Sequence, residues 1–135
     1  MPQPIDFTPK EPQTEGECQA RQQYLQFAQR IIDEPTMDYA TLYKRFVPND
    51  WAAIQINDAV AEVELREGIA PQGVTDLLCQ GPFAQCQHHQ RGVTIQLLHR
   101  CLRESLTVAK QKIDAAQNDD PVEFLLGRTL NLIGN

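Results

Sequence analysis

The longest unbroken helical pattern in this chain runs from Val93 to about Asn118, and it limits the fold more than any other stretch. Ile95, Leu98, Leu102, Leu106, Ala109, Ile113 and Ala116 recur at steps of three and four, which stacks them on one face of an α-helix. Leu97, Cys101, Ser105 and Val108 widen that face beyond a two-position coiled-coil seam, so the helix is expected to lie in a core and touch several others. At 1.5 Å per residue it is roughly 35 to 40 Å long, enough to span a small domain. The expected fold is all-α, a compact bundle of five to six helices around this one long central helix.

Upstream, Met1 to Thr14 holds Pro2, Pro4, Pro9 and Pro12, which lack amide donors and bias their predecessors away from helix. Residues 1–14 are therefore expected to form a flexible, extended or disordered arm, unless Ile5 and Phe7 dock on the body. Thr14 with Glu17 fits a capping box, and Tyr24, Leu25, Phe27, Ala28, Ile31 and Ile32 give a first helix over about Glu15 to Asp33. Asp38 caps a short aromatic helix with Tyr39, Leu42, Tyr43 and Phe46 on one face, stopped by Pro48.

A third helix runs from Asn49 or Asp50 to Glu67 and carries two apolar stripes. Ile56, Ala59, Val60 and Val63 make one; Trp51, Ile54, Ala61 and Leu65 make the other, so two sides should be buried, with Trp51 an anchor between helices. Asp58, Glu62, Glu64 and Glu67 take the remaining face, where Glu62 can pair with Arg66. Gly68 suits the helix end, Pro71 starts a short helix with Val74, Leu77 and Leu78, and Gly81-Pro82 closes it. Phe83 to Gln90 is ambiguous. After the long helix, Asp120, Pro121 and Glu123 form a second capping-box start, and Val122, Leu125, Leu126, Leu130 and Ile133 give a last helix its apolar side. Residues 15–135 thus read as a single helical domain.

Few residues of the chain stand in patterns that carry chemistry. Single glycines mark turns, and there is no phosphate loop, dinucleotide fingerprint, H-E-x-x-H or G-x-S-x-G, so catalysis is not the expected role and no cofactor is expected. Cys79, Cys86, His88, His89, His99 and Cys101 cluster in sequence, and thiolate with imidazole is what zinc prefers. The spacing lacks two close ligand pairs, and His99 and Cys101 diverge by about 200° on a helix. No metal site is expected; Cys79, Cys86 and His88 are weak candidates, with Cys79 and Cys101 read as core thiols and His88 and His89 as solvated. Four scattered cysteines suit a reducing compartment, and neither a secretory signal nor a membrane span is visible, so a cytoplasmic protein without membrane contact is expected.

Charge is unevenly spread. The chain carries −6, yet residues 88–112 hold Arg91, Arg100, Arg103, Lys110 and Lys112 against Glu104 alone. With His99, Arg100, Arg103 and Lys110 share the polar face of the long helix. An acidic part of the chain can neutralise that face; otherwise these residues and Arg91 are candidate contacts for an anion or a partner. The helix lengths over residues 51–91 also fit a helix-turn-helix-like unit, with Gln85, Gln87, His88, His89, Gln90 and Arg91 on its recognition segment. The function expected is a non-catalytic intracellular helical adaptor or regulatory module acting through protein contacts, possible homodimer included. A nucleic-acid-associated protein is the alternative, and a small enzyme or ligand-binding bundle the second. A protein partner or a second copy is favoured over nucleic acid because the surrounding charge is acidic.

Overall fold

The computed structural model describes residues 6–122, with side chains to residue 116. It contains α1 (Glu15–Ile32), α2 (Tyr39–Phe46), α3 (Asp50–Arg66), α4 (Pro71–Leu78), α5 (Pro82–Arg91) and α6 (Ile95–Val122). Among the described residues there is no strand, and the fold is all-α.

Local chemistry sets the boundaries. Thr14 accepts the Glu17 amide at 3.0 Å, Asp38 accepts that of Thr41 at 2.8 Å and Asn49 accepts that of Ala52 at 3.2 Å, so α1, α2 and α3 each begin on a side-chain cap. Those bonds to the Asp38 carboxylate also lower its pKa. Pro71 and Pro82 open α4 and α5, where a missing amide costs nothing. The ambiguous stretch after Gly81 is therefore helical, and it ends at Gly92 in the left-handed region, with φ 73°.

α3, not α6, is the centre. It packs against each of the other five helices, whereas α6 lies mainly on α4 and α3. Both stripes of α3 are used: Ile56, Val60, Ala61 and Leu65 are buried. α6 buries one narrow stripe, Leu98, Leu106 and Ile113, with Leu102 and Ala109 partly covered. Its supposed second stripe faces outward, with Leu97 at 45% exposure, Val108 at 51%, and Cys101 and Ser105 also exposed. The expectation of one long central helix is thus corrected: periodicity gave its length and inner face, but the flanking positions are small or polar and bury little. Trp51 is not an anchor either. It sits in the first turn of α3, 68% exposed.

The acidic face of α3 needs a second correction. Glu62 pairs with Arg66 at 3.1 Å as expected, but Glu64 is fully buried and neither carboxylate oxygen has a hydrogen-bond partner. Burial, with Glu67 nearby, pushes its pKa up to about 8.

The described part of the N-terminal arm forms neither helix nor strand and is tied down by its backbone rather than by apolar side chains. Gln90 accepts the Asp6 amide at 2.8 Å and donates to the Asp6 carbonyl at 2.7 Å, and Arg21 donates to the Lys10 carbonyl at 2.6 Å, while Phe7 stays exposed. At the other end α6 runs on through Asp119, Asp120 and Pro121 to Val122. The separate helix start expected at Asp120 is therefore absent; a proline this near a helix end removes only one of the last backbone bonds. The apolar positions expected beyond Val122 lie outside the described residues.

Candidate functional site

Two concavities flank the core. The larger is a groove of about 600 Å³ between α3 and α6. α3 supplies Ile54, Asn57, Asp58, Ala61 and Glu62; α6 supplies Cys101, Leu102, Ser105, Leu106, Val108, Ala109, Lys112 and Ile113; Leu78 and Phe83 close the floor. It exists because α6 leans on α4 and meets α3 only along part of its length, leaving two apolar helix faces incompletely matched. Its lining is mostly hydrocarbon, and its charges, Asp58, Glu62 and Lys112, all belong to exposed residues.

The second is a polar cavity of about 530 Å³ under the arm, lined by Thr14, Glu17, Arg21, Asp76, Cys79, Gln80, Gln85, His88, His89 and His99, with Glu11 at its edge. Arg21 organises it. Its guanidinium is buried, donates to Gln80 at 3.1 Å and Gln85 at 3.0 Å, and lies 4.4 Å from the centre of the Tyr39 ring. Tyr39 in turn donates its hydroxyl to the Gln80 carbonyl, and Gln85 donates to the Cys79 carbonyl at 2.7 Å. Burial pushes the Cys79 thiol up to about 11, so it is a protonated thiol at neutral pH. Burial, then the charges of His88, Lys10 and Arg21, lower the His89 pKa.

The metal candidates do not converge. Cys79 lines the polar cavity and Cys86 is buried in the core; His88 shares the cavity with Cys79, but its Nδ1 is 2.8 Å from the Val93 carbonyl, so it is no freely solvated loop residue. Cys101 is exposed in the groove, not a core thiol. Among the described residues no three His, Cys, Asp or Glu side chains are placed to hold a metal ion.

The basic candidates are dispersed as well. Arg91 pairs with Asp50 at 2.7 Å, Lys110 with Asp114 at 3.4 Å, and His99 lies 3.9 Å from Asp76 at the polar cavity. Arg100 and Arg103 are exposed and make no ion pair among the described residues. Two of the side chains expected on a recognition segment are engaged within the chain. Gln85 holds Arg21, and Gln90 holds Asp6 and donates to the Tyr43 hydroxyl at 2.8 Å.

Sequence reading missed the groove, since a gap between two helices depends on their crossing. The one signal was the apolar but small-residue flank Leu97, Cys101, Ser105 and Val108. Compared with known protein families, curated proteins and solved structures, the chain matches none.

Proposed function

We propose that this chain is a non-catalytic helical adaptor or regulatory module of the cytoplasm, and that the α3–α6 groove receives an amphipathic helix from a protein partner. The observation that carries the reading is the groove itself, an apolar channel with a charged rim that two helices leave open on a well-packed body. Four free cysteines fit a reducing compartment, and no helix among the described residues is long and apolar enough to cross a membrane. The internal use of Gln85 and Gln90 weighs against reading of bases. A second copy of this chain is the second reading, favoured by Leu97, whose exposure extends the apolar strip of α6 past the groove. The test is binding of labelled amphipathic helical peptides by fluorescence anisotropy, beside a concentration series in analytical ultracentrifugation. Saturable peptide binding lost on Val108→Glu supports a partner helix; dimerisation lost on the same substitution supports a second copy. Salt-sensitive duplex binding, with neither of these, overturns the proposal.

A further inference from the structure

The polar cavity under the arm holds a positive charge that no carboxylate answers. Arg21 is only 8% exposed, and among the described residues it makes no ion pair. Its partners are neutral oxygens, those of the Gln80 and Gln85 side chains and of the Lys10 backbone. They take three of the five N–H groups of a guanidinium and leave one on each Nη. A cation held out of water among dipoles alone carries a cost in free energy, and a carboxylate laid against it would supply the missing charge.

The acids of the cavity stand apart from that cation. Glu17 lies one turn before Arg21 on α1, the spacing at which the two could pair, yet the guanidinium is turned to Gln80 and Gln85 at the α4–α5 corner. The half-buried Glu17 carboxylate is left with no hydrogen bond or ion pair among the described residues, and Asp76 is exposed at the rim, 3.9 Å from His99. Both signs of charge are felt at His89: burial first, then His88, Lys10 and Arg21, lower its pKa, while Glu17 raises it. A simple anion in this cavity would meet Glu17 and Asp76, and a simple cation would meet Arg21. A molecule that carries both charges satisfies both.

We propose that the cavity binds a small zwitterion, an α-amino acid or a dipeptide, with its carboxylate on the two open N–H groups of Arg21 and its ammonium between Glu17 and Asp76. The volume, about 530 Å³, lies in the range of small-molecule sites and admits either guest. The assignment is independent of the groove, which lies against other faces of the core.

The test is titration of the full chain, followed by the Arg21 Nε–H and backbone amide resonances in NMR. The probes are the twenty L-amino acids and alanyl-alanine, which separate the two sources, with acetate, inorganic phosphate and methylamine as carriers of one charge only. At least one zwitterion should saturate with a Kd of about 1 mM or tighter and move the Arg21 Nε–H, and its N-acetyl and carboxamide derivatives should each bind about ten-fold or more weakly. Because Arg21 also holds the α4–α5 corner, the deciding variant is Glu17→Gln plus Asp76→Asn, at positions open to solvent. It should keep the amide spectrum of the native fold and weaken the zwitterion about ten-fold or more. No zwitterion binding at about 1 mM or tighter, equal binding of the N-acetyl derivative, or an affinity unchanged in the double variant overturns the proposal. Phosphate or acetate binding more tightly than every zwitterion also overturns it, and assigns the cavity to a simple anion.

Discussion

Gly81 lies so close to the ring of Tyr24 that a Cβ on residue 81 would stand 2.6 Å from two ring carbons and 2.7 Å from the hydroxyl oxygen. The backbone there has φ −74°, which any residue adopts, so the glycine is required for space rather than conformation. Tyr24 cannot give way. It is fully buried, and its hydroxyl donates to Asn57 at 2.9 Å, joining α1 to α3 where the α4–α5 corner closes over both.

Gly81→Ala is therefore expected to destabilise the fold by roughly 1 to 3 kcal/mol, the usual range for overpacking a close-packed site. Tyr24→Phe should cost about 1 kcal/mol through the lost hydrogen bond, and combining it with Gly81→Ala should relieve part of the strain. Denaturant midpoints of the two single variants and the double variant measure this. A Gly81→Ala midpoint equal to that of the native chain would mean that the corner does not close on Tyr24.

The second prediction separates the two long helices. Leu65 on α3 is buried in the middle of the fold, and Leu102 on α6 is only partly covered beside the groove. Leu65→Ala should cost roughly 3 to 5 kcal/mol and Leu102→Ala about 2, because a half-open site leaves less cavity. Amide hydrogen exchange should likewise be slowest in α3, with α6 exchanging faster. Equal costs for the two substitutions would restore α6 to the centre.

That contrast marks what the sequence made legible. Caps and breakers at Thr14, Asp38, Asn49, Pro71 and Gly68 placed the first four helices, since each acts through bonds to its own neighbours. The rank of α3 was also visible, in its two stripes, but the greater length of α6 hid it. Length measures how far a helix runs, not how many sides it buries. The polar cavity and the groove were not legible, because Arg21 meets Gln80 and Gln85 across about sixty residues of chain and the groove depends on a crossing. The exposure of Cys101 and the engagement of His88 with the Val93 carbonyl were not legible for the same reason.

The third prediction concerns Arg103, exposed one turn from Arg100 with no partner among the described residues. Arg103→Glu should leave stability within about 0.5 kcal/mol of the native chain, as substitutions on an open surface do. Thermal melting at low and moderate salt checks this. A marked loss of stability would show that an acidic part of the chain covers this face.

The last prediction follows from Glu64. Unfolded, its carboxyl ionises at about the ordinary value of 4.5; folded, it keeps its proton to about pH 8, since burial without a single hydrogen-bond donor disfavours the charge. Between these values the unfolded chain gives up a proton that the native chain retains, so stability must fall as pH rises from about 4.5 to 8 and level off above. The sign is opposite to that of Asp38, whose lowered pKa contributes stability that is lost on acidification. The separation at Glu64 corresponds to roughly 3 to 5 kcal/mol, a large part of the stability of a domain this size. Glu64→Gln keeps the shape and removes the charge, so comparing it with the native chain cancels the other titrating groups. The two proteins should have similar denaturant midpoints at pH 5, and the variant should be the more stable by several kcal/mol at pH 9. A difference that does not change with pH would mean that the Glu64 carboxylate finds a partner or water in solution.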